Sequence, residues 1–228
     1  MTLTLVIGNK NYSSWSLRPW IAMRVAAIPF NEKIIPLYEP GSREQILQYS
    51  PAGKVPVLVD GARSIWESLA ILEYLAEKHP AAGLWPREAE ARAHARAVAA
   101  EMHAGFQALR KNCPMNMWLP PKSRPQPDEA IANVRRIEEL WAHCRERYGR
   151  GRPFLFGDFG AADAMYAPVV SRLHTYGIEV GGTARDYMNA VMALPAWREW
   201  QAAAIKEPWI MKGNEPDWPF VRGVALQQ

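Results

Sequence analysis

The spacing of apolar residues changes character partway along the chain. Leu3 to Ile7, LTLVI, is an apolar run of strand length. From Ser16 to Ile28, apolar Leu17, Trp20, Ile21, Val25 and Ile28 recur at helical spacing. Pro19 is expected in that helix's first turn, where proline is tolerated, and Pro29 ends it. EKIIPLY predicts a second strand, its Pro36 marking an edge or a bend, and SREQILQY predicts a short helix. VPVLVDGARSIW places two extended runs on either side of Asp60-Gly61, a strong hairpin signal. ESLAILEYLAEKHP is a helix with Leu69, Leu72 and Leu75 on one stripe, stopped by Pro80. The order is β-α-β-α-β-β-α. The first connection is long enough for a right-handed parallel crossover, and the hairpin adds an antiparallel pair.

From Glu88 onward only helical signals remain. REAEARAHARAVAAEMHAGFQALRK is Ala-rich and predicts one long helix. A loop with Pro114, Pro120, Pro121, Pro125 and Pro127 follows. Helices are then expected over Asp128 to Tyr148 and Ala161 to Tyr176, and shorter ones over GTARDYMNAVMALP and AWREWQAAAI. The tail from Pro208, rich in Trp, Pro and Gly, reads as irregular. Ala81 to Pro86 reads as a linker. The expected organisation is therefore an α/β domain over 1–80 and an all-helical domain over 87–228.

Composition narrows the function classes. The chain has 228 residues, 49% hydrophobic and 22% charged, enough to bury a sizeable core. No apolar run spans a bilayer, so no membrane role is expected. The N-terminus lacks a basic n-region and a cleavage site, so no signal peptide is expected. Cys113 and Cys144 are read as reduced thiols of a cytoplasmic protein. His79, His94, His103, His143 and His174 are scattered without metal-ligand spacing, so no metal is expected. The net charge of +4 is spread thinly, and its densest stretch, RERYGRGR, falls at a helix end where cations suit the dipole. Nucleic acid is not an expected partner, although a mild positive field favours small anions. There is no phosphate-binding glycine loop or nucleophile elbow.

Three stretches carry candidate chemistry. NKNYSSWSLRPW, Asn9 to Trp20, crowds four hydroxyls into a strand-to-helix turn, with Ser16 readable as a helix cap. Val55-Pro56 is either a plain edge-strand proline or a cis proline of a tight turn. In WES, Trp66 to Ser68, Ser68 is either a plain N-cap or part of a site where helix N–H groups meet a carboxylate. With the Glu67 carboxylate alongside, such a site suits a zwitterionic amino-acid head group. A fourth stretch, DFGAADAMYAPV, is structural: Gly160 serves as N-cap, Asp163 reaches back to its N–H, and Phe159 and Ala164 sit where a hydrophobic staple forms.

In order along nearly the whole chain, SSWSLRP, SPAGKVPVLVDG, WESLAILEYLAEKHP and FGAADAMYAPV resemble the soluble glutathione transferase family, and most nearly its bacterial and zeta-like serine members. The resemblance implies a thioredoxin-like α/β N-terminal domain and an all-α C-terminal domain. It also implies glutathione as co-substrate, a homodimer, and a Val-Pro bond in the cis form. It places the Val55 backbone against the cysteinyl part of glutathione, Glu67 and Ser68 at its γ-glutamyl end, and Lys54 at its glycine carboxylate. Ser13 is the first candidate to donate to the glutathione thiolate, Ser14 the second and Tyr12 the third. Making the thiol mostly thiolate at neutral pH needs about 2.7 kcal/mol of preference for the anion, and a hydroxyl and the helix N-terminus both favour that anion. His103, Phe106 and Arg110, at i, i+3 and i+7, with Met115 and Trp118, are candidates for the electrophile pocket; Phe106 and Trp118 read equally well as core. Trp209 is a further residue placed to close it.

The activity implied is conjugation of glutathione to hydrophobic electrophiles, with reduction of organic hydroperoxides as a companion. Trp15 stands where the zeta class has cysteine, which weighs against a maleylacetoacetate-type cis–trans isomerase. A non-catalytic ligand carrier is the remaining alternative. Gly160 replaces the Ser or Thr usual at the family's helix cap, a change expected to be mild.

Overall fold

The computed structural model describes residues 2–215; the end of the expected irregular tail, 216–228, lies outside the described residues. The N-terminal half runs β1 (Leu3–Ile7), α1 (Ser14–Val25), β2 (Phe30–Ile34), α2 (Ser42–Leu47), β3 (Val57–Asp60), β4 (Arg63–Trp66) and α3 (Ser68–Lys78). The C-terminal half is helical: α4 (Ala89–Ala104), α5 (Gln107–Asn112), α6 (Asp128–Tyr148), α7 (Ala161–Thr175), α8 (Gly182–Ala193) and α9 (Pro195–Ile205). The sheet order is β2-β1-β3-β4, with β1 and β2 parallel and the other two pairings antiparallel. This is the thioredoxin-like α/β plus all-α architecture. Apart from Thr4, strand β1 is apolar because both its faces are covered. Leu3, Leu5 and Ile7 join the main core, while Val6 packs with Ile35, Ile46 and Val57 on the other face. Among the described residues, no helix is long and apolar enough to cross a membrane.

Four details differ from the pattern-based expectation. Helix α1 starts at Ser14, two residues early, so Pro19 lies in its second turn rather than its first. Strand β2 ends at Ile34, leaving Pro36 beyond it. Asp60 pairs with Arg63, so the hairpin turn is Gly61-Ala62, with Gly61 at φ 61°. The Ala-rich stretch is two helices, broken at Gly105 and Phe106. Phe106 adopts φ 60°, and a Cβ at Gly105 would lie 2.8 Å from the Glu101 carbonyl oxygen. The freed carbonyls at the end of α4 are taken by Arg110, whose Nε donates to Gly105 O at 3.0 Å and whose Nη2 donates to Met102 O and His103 O. The face combining His103, Phe106 and Arg110 at i, i+3 and i+7 therefore does not exist.

One hydrophobic core runs through both halves, from Leu5, Leu17 and Leu72 to Met165, Tyr166 and Trp200. Helix α7 lies at its centre, buried along almost its whole length against α1 and α4. Polar contacts also stitch the halves: among them, Arg18 Nε donates to Met165 O at 3.1 Å, and Arg172 Nη2 donates to Ser14 Oγ at 3.2 Å.

Candidate functional site

Strand β1 delivers the chain into a tightly held turn. Gly8 N donates to Ser16 Oγ at 3.1 Å, and Ser13 Oγ donates to the same oxygen at 2.8 Å. Ser16 thus ties the end of the strand to α1 and does not cap the helix; Ser13 occupies the N-cap position. From behind, Lys10 N and Asn11 N donate to the Glu207 carboxylate at 2.7 and 3.0 Å, and Trp200 Nε1 donates to Lys10 O at 2.9 Å. The Tyr12 hydroxyl donates to Glu215 Oε1 at 2.6 Å. Burial and that carboxylate push its phenol well above the ordinary range. Tyr12, the third candidate activator, is thereby committed to the C-terminal segment. Ser13 and Ser14 stay at the start of α1, both buried.

Beside that helix start lies a cleft of about 150 Å³ lined by Trp15, Lys54, Val55, Pro56, Trp66 and Glu67. Val55-Pro56 is cis. Three of the four predicted glutathione contacts, Lys54, Val55 and Glu67, share this cleft. The fourth, Ser68, is fully buried as the first residue of α3, its hydroxyl donating to Met165 Sδ at 3.9 Å. Glu67 precedes α3 with φ 68° and ψ 124°, a conformation that costs an ordinary residue about 1–3 kcal/mol. It sets the carboxylate side chain, about half exposed, beside a helix start whose first N–H groups have no intrahelical acceptor. No sequence signal marks that backbone geometry, nor the part Trp66 takes in the wall.

Of the electrophile-pocket candidates, His103 and Arg110 reach this region and Phe106 and Trp118 do not. The His103 ring meets Trp15 edge-on at 5.2 Å, and its Nε2 lies 3.8 Å from Glu67 Oε2. Burial, then the charge of Arg18, holds His103 below its ordinary value, so it is neutral at neutral pH. The Arg110 guanidinium stands 4.7 Å from the Trp15 ring centre, and that of Arg18 stands 4.0 Å from it. Phe106 belongs to the main core. Trp118 is buried behind the turn, donating from Nε1 to Ala204 O at 2.8 Å and packing against Tyr12; Met115 is buried as well. For Phe106 and Trp118 the core reading holds.

The start of α7 is built as expected, and more tightly. Asp163 accepts from Gly160 N at 2.9 Å and also from Leu155 N at 3.0 Å. Phe159 packs edge-on against Phe154 at 5.4 Å. Gly160 is not a mild replacement for a capping Ser: a Cβ there would stand 2.8 Å from the Leu84 carbonyl oxygen, which accepts from Ala161 N.

Comparison with known proteins identifies the family. The glutathione S-transferase N-terminal domain family matches residues 12–78, and the corresponding C-terminal domain family matches residues 123–203. A probable maleylacetoacetate isomerase of Caenorhabditis elegans is 38% identical over 97 residues, covering 42% of this chain and 45% of that protein. The chain therefore matches under half the length of that relative. A glutathione S-transferase of Triticum aestivum is 26% identical over 230 residues, covering 92% of this chain and 94% of that protein. A solved glutathione transferase homologue from Burkholderia GL BGR1, with bound glutathione, superposes with a TM-score of 0.65 at 23% identity, covering 88% of this chain and 96% of that one. Matched over both halves, this chain belongs to the glutathione S-transferase family.

Proposed function

We propose that this chain is a glutathione transferase that attaches the glutathione sulfur to electrophilic carbon. The observation that carries the reading is the convergence of Lys54, Val55 and Glu67 on one cleft beside the first turn of α1. Lys54 is an exposed cation for the glycine carboxylate, and the Val55 backbone faces the cysteinyl part. Glu67 and the N-terminal N–H groups of α3 hold the γ-glutamyl zwitterion. Ser13 donates to the thiolate at the N-terminus of α1, with Ser14 as its rival. The helix dipole and a hydroxyl both favour the anion. The sulfur then attacks, and the leaving group departs with its electron pair. Reduction of organic hydroperoxides is a companion activity of the same thiolate. The chain works as a homodimer in the cytoplasm, the latter in keeping with two free, buried cysteines.

A second reading, a glutathione-dependent cis–trans isomerase, is favoured by the similarity to the nematode isomerase over 97 residues. Trp15, in the position of that class's cysteine, weighs against it. One experiment separates the readings. Glutathione is titrated calorimetrically, and aryl halides, hydroperoxides and maleyl compounds are then assayed. Conjugation of aryl halides is expected. Turnover of maleyl compounds alone establishes the isomerase, and no glutathione binding at millimolar concentration sinks both.

A further inference from the structure

Three arginines from three helices meet beneath the cleft wall. Arg18 of α1 is 1% exposed and Arg172 of α7 is 5% exposed, while Arg110 of α5 is half-buried at the rim. Burial, then Arg110 and Arg172, lowers the proton affinity of Arg18, and Arg172 is likewise pushed down to about 10 by burial and Arg110. Among the described residues none of the three has a carboxylate partner. Arg110 is bonded to the carbonyls that end α4. Arg172 donates to Cys113 O, Arg110 O and Ser14 Oγ. These acceptors satisfy donors without neutralising charge.

Arg18 lacks even that. Its Nε reaches Met165 O and its guanidinium faces Trp15, but the buried Nη1 has no hydrogen-bond partner among the described residues. A buried, uncompensated charge is costly, and like charges beside it add to the cost. Glu67 does not relieve it: that carboxylate stands 3.8 Å from the His103 imidazole, and the charges that act on Arg18 are those of Arg110 and Arg172. An arrangement of this kind is complete only with an anion. Trp15, His103 and Arg110, each partly exposed, form the rim of the cluster, and Trp15 also lines the glutathione cleft.

We propose that this cluster recognises a carboxylate carried by the second substrate, so that among electrophiles of similar size and shape the acidic ones are preferred. The inference rests on the glutathione reading of the cleft. Arg110 meets the carboxylate at the rim, and Arg18 and Arg172 hold the surroundings positive from below.

The test uses the whole protein saturated with S-methylglutathione, into which 3-nitrobenzoate and 3-nitrobenzamide are titrated calorimetrically. The two probes share a ring and differ in charge. The benzoate is expected to bind about ten-fold tighter or more, the range of a charge-assisted hydrogen bond. Arg110→Gln is expected to bring the ratio close to one, while Arg147→Gln, on the exposed surface, keeps it. Equal binding of the two probes to the wild-type protein overturns the proposal even if no variant folds. So does benzoate binding that S-methylglutathione abolishes, because the arginines would then serve a carboxylate of glutathione itself. Failure of S-methylglutathione to bind sinks the functional reading instead, and the benzoate-to-benzamide ratio on the free protein still decides the anion site.

Discussion

Ser13 and Ser14 are adjacent hydroxyls with different surroundings, and the difference makes their roles separable. Ser14 accepts from Arg172, a buried cation, whereas Ser13 shares its proton with Ser16. A hydrogen bond to a charged group contributes about 1.5–3 kcal/mol, so losing the hydroxyl that holds the thiolate should cost roughly 10- to 150-fold in kcat/KM. The expected outcome is that Ser13→Ala raises the pKa of bound glutathione, read from thiolate absorbance against pH. Ser14→Ala should change that pKa less, and should act mainly through the loosened Arg172. A bound-thiol pKa unchanged in Ser13→Ala but raised in Ser14→Ala would transfer the role to Ser14. Tyr12 ranks third on geometry, since its hydroxyl donates to Glu215, away from the start of α1. At this scale Trp15 is as telling as the serines. It presents its ring to two arginines and a histidine.

Among the elements, the start of α7 is held by a single buried side chain. Asp163 is fully buried and holds two backbone N–H groups, those of Leu155 and Gly160. Burial raises its pKa to about 6, against an ordinary 3.8, and the two N–H bonds only partly offset this. The folded protein therefore holds the proton more tightly than the unfolded chain. The resulting stability is fully present below the ordinary value and is lost as pH rises through about 6. Relative to Asp163→Asn, which does not titrate, the wild-type protein should gain stability as pH falls from about 7 to about 4, by up to about 1.4 kcal/mol per pH unit between the two pKa values. Paired urea denaturation curves at several pH values check it, and a difference that stays flat or shrinks on acidification refutes it. This cap was legible because Gly160 and Asp163 are close in sequence. The break between α4 and α5 was not. An interior glycine costs a helix only about 1 kcal/mol, and what ends α4 is Arg110 folding back onto its carbonyls. The cleft was legible through short motifs round Val55 and Glu67. The arginine cluster was invisible for the opposite reason: its members meet only through the packing of α1, α5 and α7, and Arg172 reaches a serine 158 residues away.

For the molecule as a whole, the helical half does more than cover the sheet; it shapes the turn that carries Ser13. Glu207, just past α9, is half-buried and accepts from Lys10 N and Asn11 N, and Trp200 of α9 donates to Lys10 O. The side chain of Lys10 pairs with Glu32 at 2.7 Å and lies over the rings of Trp20 and Trp200, so β2, α1 and α9 are pinned at one point. Removing the Glu207 carboxylate strands two buried donors, each worth about 1–3 kcal/mol when left unsatisfied. Glu207→Ala is therefore expected to lower stability by roughly 2–4 kcal/mol and to weaken glutathione binding, although residue 207 lines no part of the cleft. Denaturation followed by tryptophan fluorescence and by far-ultraviolet circular dichroism reads the first effect, and glutathione calorimetry the second. Because one core joins the halves, both probes should report one coincident transition in wild type and variant. A variant that loses stability yet binds glutathione unchanged would mean that the turn keeps its shape without its support from α9, and that the helical half stabilises the site without forming it.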